Sequence, residues 1–181
     1  YLGGPCFSIE HGRPPADDDP DFIEFRFETI ARVFRGIHDA VAPLRPGASI
    51  SASLVAPSRR YYQDARRALE EGALDIAVPM IYTDDLGFFE EEARWFHENS
   101  GGRLALAGIG IGSCAGQEAE EIAIARAVGL EGQALFAWST LDGGARARVA
   151  DAWSDAAAVP SMPWRDGTAD RVPPVLSGIA V

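Results

Sequence analysis

The sequence is short of cysteine, histidine and long apolar runs, and each shortage excludes a class of protein. Its two cysteines, Cys6 and Cys114, stand apart and outside any C-x-x-C pair, which removes zinc-ribbon and dithiol redox readings; two separate thiols are expected, with no cofactor. No apolar run reaches the about 18–20 residues that a membrane span needs. Basic residues are few: 16 Lys and Arg stand against 27 Asp and Glu, for a net charge of −11 and a pI near 4.6. That balance argues against nucleic acid or an anionic membrane as partner, since both reward basic side chains. The three histidines are scattered, no G-x-S-x-G elbow is present, and no Ser-His-Asp arrangement suggests itself. The run Asp17-Asp18-Asp19 reads as a solvated loop, because consecutive side chains cannot all converge on one ion; no metal site is expected. The chain starts at Tyr1 with no signal peptide ahead of it, so a processed or truncated start is expected.

What is present suits a globular chain. The 181 residues are 47% hydrophobic and 24% charged, enough apolar material for a core and too little net polarity for wholesale disorder. Residues 1–21 read as loop, with Pro20 near the first position of a helix and Asp21 in its first turn. Helical spacing follows over 21–42 through Phe27, Ile30, Phe34, Ile37 and Val41. Short apolar strands are expected over 49–55, 74–82, 104–109 and 134–138. The intervening helices are expected over 60–71 (inward face Tyr62, Ala65, Leu69, with Gly72 as C-cap), through Phe89, Ala93 and Phe96, through Ala119, Ile122, Ala123 and Ala127 with Gly129 as C-cap, and over 144–158 with Val149, Ala152 and Ala156 inward. Alternating strands and helices, with strands apolar on both faces, imply a parallel α/β sheet. Two architectures fit: part of a (β/α)₈ barrel over residues 1–158 with a proline-rich tail or linker over 159–181, or a small open doubly wound sheet. A whole barrel takes about 250 residues, and four strands are visible.

Several segments resemble the second half of the glycosyl-hydrolase-like 10 family, barrels related in layout to family-18 glycoside hydrolases. They are Phe25-Arg26-Phe27-Glu28-Thr29-Ile30; Gln63-Asp64; Glu71-Gly72-Ala73-Leu74-Asp75; Val78-Pro79-Met80-Ile81-Tyr82-Thr83-Asp84; Ala107-Gly108-Ile109-Gly110; and Ala125 to Leu130 followed by Gly132 and Leu135-Phe136-Ala137-Trp138. The resemblance spans about residues 25–141, and Pro-Met-Ile-Tyr-Thr-Asp is its most specific piece. It implies that the visible strands are the fifth to eighth of a barrel and that the family's acid at the end of the fourth strand lies upstream. It also implies a missing N-terminal half-barrel as partner, a poly- or oligosaccharide as substrate, and an extracytoplasmic or secreted setting. A non-catalytic carbohydrate-binding or scaffold barrel is the alternative reading.

In a barrel, function gathers at the C-terminal ends of the strands. Tyr82 and Asp84 end the second visible strand and are the candidate catalytic pair; glycoside hydrolysis needs a carboxylic acid and a second carboxylate or substrate group. Asp85 reads as a helix cap. Trp138 ends the last strand and offers a flat apolar face for a sugar ring. Arg60, with Arg59, follows the first visible strand and suits an acidic sugar. Glu10, with His11, is placed by the resemblance in the loop after the fourth barrel strand, within reach of the mouth. Asp64 reads as a capping or packing residue, Trp95 as packing, and His38 and His97 as helix-surface residues. Gly108-Ile109-Gly110-Ile111-Gly112 reads as a tight strand-to-helix loop, with phosphate binding as a weaker third reading.

Overall fold

The computed structural model describes residues 4–56, 61–154 and 159–165. Two helices come first, α1 (Gly4–His11) and α2 (Pro20–Val41). Strand and helix then alternate: β1 (Ser51–Leu54), α3 (Ala65–Glu70), β2 (Ile76–Ile81), α4 (Leu86–Glu98), β3 (Leu104–Gly110), α5 (Glu118–Val128), β4 (Gly132–Phe136) and α6 (Gly143–Ala152). The chain is an α/β protein. Its four strands form one parallel sheet in the order β1-β2-β3-β4.

Local chemistry sets the helix starts. Asp19, Asp64, Asp85 and Asp142 each cap a helix by accepting a backbone N–H of its first turn. Pro20 opens α2, where its missing N–H costs nothing. Gly129 ends α5 in the left-handed region, φ 100°, which a side chain disfavours.

Strand register decides what each side chain meets. Ser51 pairs with Ile76, Ile76 with Leu104, and Leu106 with Gly132. Side chains alternate across a strand, so Ala52, Leu54, Ala77, Pro79, Ile81, Ala105, Ala107, Ile109 and Leu135 share one face. That face packs against Leu69, Phe89, Ala93, Phe96, Ile122 and Ala125 of the helices in one core. Helix α4 lies over β2 and β3, α5 over β3 and β4, and the neighbours α4–α5 and α5–α6 touch. The other face carries Ile76, Val78, Met80, Leu106 and Ala134, half-buried, and runs up to Tyr82 and Phe136.

Three expectations are corrected. Residues 1–21 are not all loop: α1 forms because Phe7 is fully buried against Phe22 and Phe25, a tertiary anchor that leaves no periodic pattern, with Ile9 of the same helix exposed. Helix α3 starts at Ala65, and Tyr62 precedes it with φ 53°, so it is not part of that helical face. The inward face of α5 is Glu118, Glu121, Ile122 and Ala125; Ala123 and Ala127 are exposed. Ala156 lies outside the described residues.

The segment after α6 returns beneath the sheet. The Trp164 indole N–H donates to Asp75 Oδ1 at 2.9 Å, the Arg103 guanidinium lies 4.6 Å from the Trp164 ring, and Asp75 Oδ2 accepts from Ile50 N at 2.8 Å. Asp75 and Arg103 immediately precede β2 and β3, so residues near 164 close the N-terminal end of the sheet. That part of the expected tail belongs to the folded body.

Candidate functional site

Parallel strands bring their C-terminal ends together, and three of them carry the candidate site. Tyr82 follows β2, Gly110 ends β3 and Phe136 ends β4. The Tyr82 and Phe136 rings stack, with centroids 5.5 Å apart and planes 8° from parallel. Gly110 is the floor between them: a Cβ there would lie 2.9 Å from the Tyr82 ring, so only glycine leaves room for the pair. One residue pair lower, a Cβ at Gly108 would come within 2.4 Å of the Pro79 carbonyl oxygen. The glycine repeat was expected to be a tight strand-to-helix loop, but Gly108 and Gly110 belong to β3, where they are a close-packing device.

The platform is accessible. Tyr82 is 37% exposed and Phe136 61%. Partial burial pushes the Tyr82 phenol above its ordinary value, so it keeps its proton at neutral pH. Asp84, two residues on, is exposed. Asp85 is occupied as a cap, its Oδ1 accepting from Gly87 N at 2.9 Å and Phe88 N at 3.1 Å. Asp142 is likewise a cap, accepting from Ala145 N at 2.8 Å.

Trp138 stands at the same end of the sheet but lines a different surface. It begins a short 3₁₀ turn over Trp138–Thr140, and its ring is 73% exposed with the Arg146 guanidinium 4.9 Å from its centre. It borders a cleft of about 420 Å³ with Leu135, Leu141, Arg146, Val149 and Trp153. Leu135 and Val149 belong to the helix-covered core, so this cleft lies on the helix side of β4, whereas the Tyr82–Phe136 pair caps the other face. Phe136, not Trp138, is the aromatic that joins Tyr82. Strand alternation puts Phe136 on the face of Ala134, but the pairing of Gly110 with Phe136 is what brings it beside Tyr82. No protein-family model, curated protein or solved structure matches this chain.

The remaining candidates do not join the platform. Arg59 and Arg60 lie outside the described residues. Glu10 sits on α1, not in a loop, 3.8 Å from Arg32 of α2, in a cleft with Asp21, Glu24 and Glu28 that contains no strand-end residue. His11 stacks on Phe7 at 4.2 Å. Asp64 caps α3, as expected, by accepting from Arg67 N at 3.0 Å. Trp95 packs edge-on against Phe96 at 4.9 Å, and Trp153 donates to Gln133 Oε1 at 3.1 Å. Glu92 went unremarked in the sequence. It lines an apolar cleft with Val55, Ala56, Met80 and Phe88, and desolvation, then the neighbouring Glu91, raises its carboxyl above the usual range. No group of three or more metal-ligating side chains occurs among the described residues, and none of the described helices is long and apolar enough to cross a membrane.

Proposed function

We propose that this chain is the second half of a (β/α)₈ barrel of glycoside-hydrolase-like kind, and that its strand ends bind a poly- or oligosaccharide. The observation that carries the reading is the Tyr82–Phe136 platform, a solvent-facing aromatic pair at the C-terminal end of a parallel sheet. A sugar ring presents an apolar C–H face to such rings and hydroxyls to the Tyr82 phenol and the Asp84 carboxylate. The sequential strand order and, among the described residues, helices on one face of the sheet support a barrel sector; a doubly wound sheet reverses its strand order and covers both faces. In this reading the half-buried apolar face is the barrel interior, and the upstream half supplies the four strands that fill it. The extracytoplasmic setting follows from the family resemblance alone.

A second reading, binding without hydrolysis, is favoured by the carboxylate inventory. Hydrolysis of a glycoside takes two carboxyl groups or one with substrate assistance. Among the described residues that follow a strand, Asp84 stands uncapped, whereas Asp85 and Asp142 are committed to helix N-termini. The upstream acid decides between enzyme and binder.

The test is to express the chain alone and together with its upstream half. The isolated chain is expected to self-associate through its open apolar face and to lack hydrolase activity; the joined halves are expected to be monomeric, to melt cooperatively and to bind oligosaccharides by calorimetry. A monomeric isolated chain with a sharp two-state melt would overturn the half-barrel assignment. Joined halves that bind no oligosaccharide in a broad panel would overturn the carbohydrate assignment.

A further inference from the structure

The first turn of α5 buries two polar groups that nothing satisfies. Glu121 is 0% exposed, and neither carboxyl oxygen has a hydrogen-bond partner; Gln117 Oε1 is also buried and unpartnered. These residues are one helical turn apart, so their side chains lie on the same side of the helix. Both groups as drawn are acceptors. A proton on one Glu121 oxygen makes it a donor, and a bond from it to Gln117 Oε1 would reduce the three orphaned acceptors to one.

The surroundings favour the neutral form. On the same helix Glu118 is buried and Glu120 exposed. From α6, Arg148 is already committed: its Nε and Nη2 donate to the two oxygens of Glu118 at 2.6 and 3.0 Å. From the preceding loop comes the buried thiol of Cys114, whose S–H points to Ile111 O at 3.6 Å. The core residues that α4, β3 and β4 pack with α5 are Phe89, Ala93, Phe96, Ile109 and Leu135, none of them charged. Glu92 of α4 lines the separate cleft beside β1 and β2. Among the described residues, an ionised Glu121 would therefore meet a second carboxylate and no free cation. Desolvation first, then Glu118 and Glu120, pushes its carboxyl up to about 8.

This acid is wired to the platform through the backbone. Glu121 N donates to Gln117 O at 3.0 Å, Gln117 N to Cys114 O at 2.9 Å, and Cys114 N to Gly110 O at 3.0 Å. Gly110 is the floor under Tyr82. We propose that Glu121 is a neutral acid whose carboxyl proton is donated to Gln117 Oε1, and that losing this proton unlocks the loop between β3 and α5 beneath the aromatic platform. In the step the Glu121 O–H bond breaks and the proton passes to solvent base. The carboxylate left behind must reach water, which pulls the first turn of α5 away from the sheet and uncovers Cys114. The inference does not depend on what the platform binds.

The experiment uses the full chain with Cys6→Ser, which leaves Cys114 as the sole thiol, and compares it with the same chain carrying Glu121→Gln. Glutamine is neutral at every pH and brings its own donor to Gln117. Alkylation of Cys114 by iodoacetamide is expected to be faster in the parent than in E121Q by a factor that grows at least about tenfold between about pH 5 and about pH 8 and then levels off; an ionised Glu121 also raises the Cys114 thiol, which slows the parent and makes the measured ratio a lower limit. The infrared spectrum of the parent is expected to hold a protonated-carboxyl stretch near about pH 6.5 that E121Q lacks. Equal alkylation rates at alkaline pH would overturn the proposal. So would the absence of that stretch, which would mean an ionised Glu121 held by a reoriented Gln117 amide or a buried water. Should E121Q fail to fold, Gln117→Leu takes its place: removing the acceptor must move the carboxyl stretch to higher frequency, and an unmoved band refutes the pairing.

Discussion

Tyr82 and Phe136 stack at 5.5 Å although one follows β2 and the other ends β4, strands that are not neighbours in the sheet. The strand between them contributes no side chain at that level, because its residue is Gly110. The contact is therefore made over β3, not beside it, and it depends on a hydrogen atom where any other residue has a methyl or more.

Gly110→Ala is expected to displace the Tyr82 ring and abolish the stacking, seen as a loss of near-ultraviolet circular dichroism, at a stability cost of about 1–3 kcal/mol. Gly108→Ala is expected to cost more in the same urea titration, because its added carbon meets the Pro79 backbone carbonyl, which cannot rotate away as a ring can. Equal, negligible effects would mean that the strands do not approach as described.

For carbohydrate binding by the joined halves, Phe136→Ala and Tyr82→Ala are each expected to weaken affinity by about 1 kcal/mol, the scale of one aromatic contact. Trp138→Ala is expected to leave that affinity unchanged, since its ring faces Arg146 and the α6 cleft. Its stability cost is expected to stay within about 0.5 kcal/mol, as for other exposed positions. Calorimetry on the three variants separates the two surfaces; a loss confined to Trp138→Ala would return the sugar site to the original candidate.

Trp164→Phe keeps the ring over Arg103 and deletes the N–H that reaches Asp75. Asp75 is 3% exposed, so a lost donor is not replaced by water. A destabilisation of about 1–3 kcal/mol is expected in chemical denaturation, the range for a hydrogen bond to a charged group. No change would place residues 159–165 outside the cooperative unit.

Stability should fall on both sides of a maximum, from two neighbouring glutamates of opposite sense. Arg148 holds the Glu118 carboxyl below its ordinary value, so the native state binds that proton less tightly than the unfolded chain; this contribution is present above the usual carboxylate range and is lost as pH falls through it. Glu121 is raised from 4.5 to about 8, so the native state holds a proton that the unfolded chain releases; its contribution is full below about 4.5 and is lost as pH rises to about 8. Melting temperatures across pH are expected to show E121Q without the decline between about 4.5 and 8, and Arg148→Gln without the Glu118 share of the acid decline. A decline over that range unchanged in E121Q would remove Glu121 as its source.

Much of the secondary structure was legible in the sequence because its causes are local. Aspartates at 64 and 85 and the proline at 20 mark helix starts by hydrogen bonds and dihedral limits that span three or four residues, and Gly129 marks a stop in the same way; the caps at Asp19 and Asp142 emerged only in the structure. The near-continuous apolar runs around 76–81 and 104–110 declared buried parallel strands, and with them the α/β class.

The site was legible only in part. Tyr82 and Asp84 could be placed at a strand end from sequence, but which aromatic stands beside Tyr82 depends on the register Gly108–Ala134 and Gly110–Phe136, a pairing of residues 26 positions apart that no local pattern encodes. The same holds for α1, anchored by Phe7 on Phe22 and Phe25, and for Trp164, which finds Asp75 across 89 residues. Helix α5 is the clearest case: its apolar residues gave the helix but not its buried face, and packing against β3, β4 and α6 turned Glu118 and Glu121 inward. Charge, propensity and capping are properties of short stretches and were fixed by the sequence itself. Which face of a helix is buried, and which strand ends share one surface, follow from how whole elements fit together, and only the tertiary structure decided them.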